Sequence, residues 1–589
     1  MVARYLILVD PRPSRLDRKI AKATRDGSLT LRWQIGEVAV LCNAACNCLL
    51  LPLDAGVVLG TLFPRHGPAR RLGSNDHAEM SDIGARSLET IASRYWGSYL
   101  CCRTTGNTVT IARDPSGGMP CYHVSTKSEL SVTSDARLLV RAGLLEPSFA
   151  WEEMPRYLSC KDLPSDRTAI AGVRELLSGT ALSFGASGCS TSSYWSPWDH
   201  VGADPDWRDD EVRERLRRTI DSCIGAWQSC FDRPLVTISG GLDSSVVLSS
   251  LAHAGSSPSC ITISSDDPHG DETFWARKMA DTVGASLHED RYDLADVDLA
   301  RSVTAHLPKP CGRIHELAYN APLTRHVRSL GADVVMTGNG GDNVFYNSGS
   351  VRPLLDRFLC HGLTMGTFAT IDAVSEVTRA GHWQVVKEAI RLARRARRPY
   401  QWLRELDFLA TETRAVVENA TYGHAWLDGP PGALPGKKGH VAMLLRMQNH
   451  IEGYLRAFDI PIVNPLTSQP IVEMCLGLPT WRMIEGGVDR AIVRDAFASR
   501  LPDAVLRRRS KGGPASFAMS VIDGKAVEVR SRLLDGELVR RGLLDRIALE
   551  HALARGPAMG LGYMRILSFL DIEAWLENWR VPSTDALDQ

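Results

Sequence analysis

Ser239-Gly240-Gly241-Leu242-Asp243-Ser244-Ser245 lies between an apolar run, Leu235-Val236-Thr237-Ile238, and a second one, Val246-Val247-Leu248-Ser249-Ser250-Leu251-Ala252. The first run reads as a short buried strand. The second reads as a helix that faces a core on most sides. A glycine-rich turn between strand and helix lets backbone N–H groups approach an anion, and the helix N-terminus adds partial positive charge. Ser239, Ser244 and Ser245 add hydroxyl donors. Asp243 sets the chemistry, because a carboxylate in a phosphate cradle repels phosphate unless a cation bridges them. The pattern therefore points to Mg²⁺ between Asp243 and a polyphosphate. No Gly-Lys-Ser/Thr closes the turn, so it is not a Walker A loop.

Strand and helix signals alternate around this turn. Val212, Leu216, Ile220, Ile224 and Trp227 give one apolar helical face. Strands are expected at Cys260–Ile263, near Leu287 and over Asp333–Thr337, with helices over Asp271–Val283 and before Gly331. Such alternation implies a parallel α/β sheet, and beyond Asn343 the chain reads as nearly all helix. A parallel sheet binds ligands beyond the carboxyl ends of its strands. Thr337-Gly338-Asn339-Gly340-Gly341-Asp342-Asn343 follows one such end and again offers glycines with one acid. Asp243 and Asp342 together would hold Mg²⁺ on two sides of a pyrophosphate.

Before Trp195 the reading is β-rich. Strands are expected at Val38–Cys42, Gly56–Phe63, Tyr99–Arg103, Thr108–Ala112 and Leu130–Ser134, with a helix over Asp82–Ser93. Ser190–Pro197 and Gly202–Asp206 read as a linker. The expected division is therefore residues 1–200 and 207–589. At 589 residues there is room for two cores, and 68 basic residues balance 68 acidic ones. That balance gives no pointer to nucleic acid or an anionic membrane. The N-terminal apolar run is too short for a signal peptide, and the Val38–Phe63 region is interrupted by Asn43, Asn47, Pro52 and Asp54. The 14 scattered cysteines fit a reducing cytoplasm. Cys42, Cys46 and Cys48 lack a second pair at metal-site spacing and read as packing residues.

The Ser239 turn resembles the pyrophosphate-binding loop of ATP pyrophosphatases, and the paired loops resemble the asparagine synthetase family. Further stations agree: Tyr95-Trp96-Gly97-Ser98-Tyr99, Ala112-Arg113-Asp114-Pro115-Ser116-Gly117, Ser134-Asp135, Gly172-Val173, Tyr194-Trp195, Asp271-Glu272, Leu501-Pro502 and Arg509-Ser510-Lys511. The resemblance implies an N-terminal glutaminase-like, Ntn-type α+β sandwich. An ATP-pyrophosphatase-type synthetase domain with a helical C-terminal part would follow it. ATP and Mg²⁺ would be used. Thr237 and Ile263 would line the adenine pocket, with Thr337 and Gly338 near ribose and adenine. Ser239, Gly240, Gly241, Ser244 and Ser245 would cradle phosphate, Asp243 and Asp342 would bind Mg²⁺, and Lys511 would contact phosphate.

Departures from the family sharpen the reading. A working glutaminase needs a cysteine at position two, where this sequence has Val2, so ammonia from glutamine is not expected. The family's Gly-Glu-Gly-x-Asp loop is here Gly338-Asn339-Gly340-Gly341-Asp342. Asn339 also replaces the tyrosine of β-lactam synthetases. The missing cysteine, the Gly338–Phe345 segment and Ser468-Gln469-Pro470 together resemble the lasso peptide cyclases, which are macrolactam synthetases. The resemblance implies adenylation of an Asp or Glu side chain of a leader-free core peptide, followed by attack of the peptide's own N-terminal amine. A leader peptidase and a precursor-recognition protein would be partners. Glu452, near His450, is a candidate general base. The alternatives are another amide-forming adenylating enzyme such as a β-lactam synthetase, and a non-catalytic peptide-binding scaffold.

Overall fold

The computed structural model describes residues 2–202, 208–267, 270–396, 398–452, 459–509, 512–513, 515–555 and 562–580. The N-terminal part is built on two six-stranded antiparallel sheets. Tyr5–Val9 sits inside the first sheet and alternates its side chains with period two. Tyr5, Ile7 and Val9 enter the core between the sheets, while Leu6 and Leu8 meet Leu16 and Leu138 of two covering helices, Pro13–Ala23 and Ala136–Arg141. Both faces are thus covered, and all five residues of the strand are buried. The second sheet turns Val57 and Leu59 inward. Its Val58, Leu62 and Phe63 face the other way, in the same apolar cluster as Leu216, Ile220 and Trp227 of the Asp209–Gln228 helix.

Two N-terminal readings need correction. The Asp82–Ser93 helix is two helices, His77–Ala85 and Leu88–Arg94, and the second begins where the Ser87 side chain accepts from Thr90 N. The Ser190–Pro197 linker is largely a strand. Gly188–Ser193 pairs antiparallel with Thr180–Gly185 at the edge of the second sheet. Its Ser and Thr side chains are exposed, as an edge strand with one neighbour allows, and this hid the strand among loop signals.

The second part carries a five-stranded, wholly parallel sheet. Its spatial order is Ser286–Arg291, Ser259–Ser264, Pro234–Thr237, Val334–Met336, Ile462–Val463. Chain order runs outward one way from Pro234–Thr237 and then reverses through Val334–Met336. These two neighbours flank the topological switch point, where open α/β sheets bind ligands. The Asp271–Val283 helix starts at Thr273, whose N–H donates to Asp271 Oδ1 (2.9 Å), and ends at Gly284 in the left-handed region. Beyond Asn343 helices dominate, as expected, but Ile462–Val463 returns to add the last strand.

The two parts are joined by buried polar contacts. Arg113 bonds Glu175 (3.0 Å), and Lys309 of the second part reaches the same carboxylate. Burial alone would raise the Glu175 carboxyl; Lys309 and Arg113 outweigh it and hold it below its ordinary range. Trp195 Nε1 donates to Glu473 (2.9 Å), and Gln448 Nε2 to the Ser116 carbonyl (3.1 Å). The Gly562–Arg580 helix closes a shared apolar cluster in which Met154 and Tyr157 lie with Phe569 and Trp575. Its far end meets the first part directly. Phe149 packs on Trp575, and Arg137 sits 4.5 Å from the Trp579 ring and donates to the Asn578 carbonyl.

Candidate functional site

The Ser239 turn is knitted to itself. Ser239 N donates to Ser244 Oγ and Gly241 N to Ser239 Oγ, both at 3.3 Å. Gly240 has φ +61°, and a methyl there would overlap Trp275, so only glycine fits. Gly241 caps the Leu242–His253 helix and leaves that helix's N-terminus facing the cavity. Gly338 comes so close to Ser244 N that a side chain would overlap it; this lets the two switch-point loops touch. Arg508 braces the turn from behind. It donates to the Ser239 carbonyl (2.8 Å) and to Glu272 (2.6 Å), and lies 4.1 Å from the Trp275 ring.

A cavity of about 970 Å³ opens over these loops. Thr237, Ser239, Gly241, Asp243, Ser244, Ile263 and Gly338 line it, together with Glu272, Arg313, Glu316, Glu376, Arg490 and Arg508. A smaller chamber of about 340 Å³ adjoins it, and Asp243, Gly338, Asn339 and His450 border both. Three residues expected at the nucleotide are placed elsewhere. Gly240 turns away against Trp275. Ser245 is fully buried in the helix. Thr337 is buried too, and its hydroxyl donates to Asn464 Oδ1 (2.6 Å) and accepts from Asn339 N (3.0 Å). They shape the loops and do not line the wall.

Asp243 and Asp342 converge. Arg490 Nη1 lies 3.1 and 3.0 Å from the two Asp243 oxygens and also bonds Asp342 Oδ1. Burial alone would pull the Arg490 guanidinium down, but Asp243, Asp342 and Asp489 outweigh it and hold it charged. A single cationic nitrogen thus stands between the two acids from the switch-point loops. The donors are hard carboxylate oxygens, the kind Mg²⁺ takes in ones and twos alongside substrate phosphates. Among the described residues no three His, Cys, Asp or Glu side chains form a metal cage. The two acids therefore fit a cation completed by a polyphosphate. Arg490 escaped the sequence reading: it is 247 residues from Asp243, and a non-glycine left-handed φ of +51° leaves no sequence signal.

Lys511 lies outside the described residues. Glu452 is not among the residues lining either chamber. Tyr122 donates to its carboxylate (3.1 Å), and its backbone carbonyl lies 3.1 Å from His306 Nε2, at the junction with the first part. His450, two residues earlier, faces both chambers and pairs with Asp162 (3.2 Å).

A switch-point anion loop with paired acids, beside an antiparallel sandwich, defines an α/β nucleotide-loop protein with an N-terminal amidotransferase-like domain. An asparagine synthase family model matches residues 211–577, and a glutamine amidotransferase domain model matches residues 89–195. The chain belongs to the asparagine synthase family. It is similar to the carboxyethyl-arginine beta-lactam-synthase of Streptomyces clavuligerus, with 25% identity over 298 residues, 49% of this chain and 54% of that protein. The chain thus spans about half the length of this curated relative. Two solved structures are also similar over 57% of this chain. One is glutamine phosphoribosylpyrophosphate amidotransferase from B. subtilis complexed with ADP and GMP (11% identity, 90% of that chain, TM-score 0.23). The other is described as the allosteric regulatory enzyme of purine biosynthesis (10% identity, 89% of that chain, TM-score 0.23). Among the described residues no helix is long and apolar enough to cross a membrane.

Proposed function

We propose that this chain is an ATP-dependent, AMP-forming amide ligase, and specifically a lasso peptide cyclase. It would adenylate an Asp or Glu side chain of a leader-free core peptide and join it to the peptide's N-terminal amine. The observation that carries the ligase reading is the convergence of Asp243 and Asp342 on one cationic point at the switch-point loops. The chemistry explains the need for it. A carboxylate is anionic and has a poor leaving group, and adenylation changes both. Asp243 and Asp342 would hold Mg²⁺, which would neutralise charge on the phosphates. The Leu242–His253 helix N-terminus would meet the same charge with backbone N–H groups. Lys511, and Arg490 once the ion has moved it off the two acids, would supply cations where negative charge grows.

The nucleophile supports the finer reading. The segment leading into the Tyr5–Val9 strand, Val2-Ala3-Arg4, carries no thiol or hydroxyl. An amine in the substrate would then replace ammonia. Holding amine and acyl carbon together would supply on the order of 7 kcal/mol. A cavity near 970 Å³ is at the upper end of the roughly 300–1,000 Å³ of ligand pockets, which suits a nucleotide beside a peptide segment. The leader peptidase and precursor-recognition protein belong to this proposal as partners.

A β-lactam synthetase is the second reading, favoured by the Streptomyces relative. Asn339 in place of the tyrosine of those enzymes speaks against it. The test is mass spectrometry of pooled synthetic linear peptides, each with a free N-terminus and one internal Asp or Glu, incubated with the protein, ATP and Mg²⁺. A product lighter by one water, accompanied by AMP, is expected, and Asp243→Ala or Asp342→Ala should abolish both. Peptides that stay linear while a small β-amino acid is cyclised would replace the lasso reading with the β-lactam one.

A further inference from the structure

The 340 Å³ chamber lies on the side of the switch-point loops toward the N-terminal part, and its wall includes Asp162 of that part. It is lined by Asn339, Asp342, Asn343, Arg446, His450 and Thr467 among others. Asp243, Gly338, Asn339 and His450 border both this chamber and the larger cavity. His450 Nε2 is 3.2 Å from Asp162 Oδ1, with side chains 39% and 27% exposed, so the pair is open to a ligand yet sheltered from bulk water. The two segments that carry the pair are tied to each other. Asn449 donates to the Lys161 carbonyl (2.7 Å), locking the residue before each partner to the other.

From this geometry we propose that the smaller chamber is the subsite for the amine nucleophile, and that His450, oriented by Asp162, is the base that takes its proton. The inference rests on the ligase reading above and names the second half of that reaction. With Nε2–H donated to Asp162, the Nδ1 lone pair is the acceptor. A primary α-amine, pKa about 8, enters mostly as ammonium at pH 7 and must shed one proton before attack. The N–C bond then forms as the C–O bond to the AMP phosphate breaks. AMP leaves with the electron pair, and nitrogen gives up a second proton as the amide forms. Nδ1 takes the first of these protons, the one the ammonium sheds before attack, and Asp162 stabilises the imidazolium; the second passes to the departing AMP phosphate.

The surrounding charges are consistent with this role. Burial alone would raise the Asp162 carboxyl. Its hydrogen bond with His450, reinforced by Lys161 and Arg313, holds it below the usual carboxylate range, so it stays an anion. Arg446 also lines the chamber, with its guanidinium 5.2 Å from the Trp402 ring. Asp243 and Asp342 lie on the chamber wall, and Arg313 and Glu316 face the larger cavity beside His450.

The experiment uses the full chain and a peptide from the synthetic pool that the wild type cyclises. Two products are followed: the macrolactam, and the hydroxamate formed when an N-acetylated copy of the same peptide is given hydroxylamine, whose nitrogen is largely unprotonated at pH 7. His450→Gln should slow macrolactam formation roughly 10²-fold at pH 7, the size of a general-base effect. Hydroxamate formation should fall at least tenfold less. Raising the pH from 7 to 9 should recover much of the variant's cyclisation, because the amine then loses its own proton. Asp162→Asn should act in the same direction, and the double variant should be no slower than His450→Gln. Equal losses for both nucleophiles, no recovery with pH, or additive losses in the double variant would overturn the dyad; melting curves identify a variant that fails to fold, and Asp162→Asn alone then decides. A wild type that makes no AMP with any peptide would instead sink the ligase reading itself.

Discussion

Replacing Arg490 with methionine keeps most of the side-chain volume and removes the cation that Asp243 and Asp342 share. The side chains of Arg490 and Asp243 are each 11% exposed, and that of Asp342 is 30% exposed. At about 3 Å and an effective dielectric of about 20, each contact is worth roughly 5.5 kcal/mol before desolvation. Removing one partner of a buried pair costs about 3–5 kcal/mol net, because the remaining charge is left uncompensated. In EDTA, Arg490→Met should therefore lower the melting temperature by roughly 3–8 °C, scaling the 2–4 °C per kcal/mol of smaller domains down for this longer chain. Mg²⁺ should restore roughly half or more of the loss. An ion at 100 times its Kd contributes about 2.7 kcal/mol, and in the variant it meets two acids with no arginine to displace. The assay is differential scanning fluorimetry across a Mg²⁺ series, with Ca²⁺ as a second oxygen-seeking cation. If Mg²⁺ raises the melting temperature of wild type and variant equally, the two acids are not where the metal binds. If the variant melts with the wild type in EDTA, the convergence on Arg490 is not an energetic feature of the fold.

Glutamine should be neither hydrolysed nor stimulatory, and glutamate release that depends on this protein in a coupled assay would overturn the claim. Lys511→Ala should lower turnover at least tenfold more than ATP affinity, because a cation that meets charge appearing in the transition state acts on rate before binding. Parallel losses in initial-rate and nucleotide-binding measurements would make Lys511 a binding residue only. Gly240→Ala should destabilise by at least about 1–3 kcal/mol, since it combines a left-handed φ with overlap against Trp275. A melting temperature within a degree of wild type would show that the turn can relax without loss.

The parallel sheet was legible because glycine-rich turns punctuate apolar strands and both acids sit directly after strand ends. Tyr5–Val9, Thr30–Ile35 and Thr180–Gly185 went unread, while five other strands of the N-terminal sandwich were legible for the same local reason. Gly188–Ser193 was not, because an exposed edge strand of Ser and Thr has the composition of a loop. Ile462–Val463 was missed because two residues cannot show a period. The site divides along the same line. Asp243 and Asp342 carry local motifs, whereas Arg490 and Asp162 reach the site only through tertiary structure, 247 and 288 residues from the groups they bond. Glu452 and His450 share one polar segment, and only the packing shows that His450 is the one facing the cavity.

The helix that closes the shared apolar cluster is the last described element of the chain, yet its partners Phe149, Met154 and Tyr157 belong to the first part. On the ribosome those partners emerge roughly 420 residues ahead of Trp575, which at about 5–20 residues per second is a wait of roughly 20–80 s. Throughout that interval Ile314, Leu317, Leu409 and Phe517 emerge one after another to join the same cluster, but the side that the last helix takes stays open. Stopping translation within the Gly562–Arg580 helix would strand an almost complete polypeptide with that face still open.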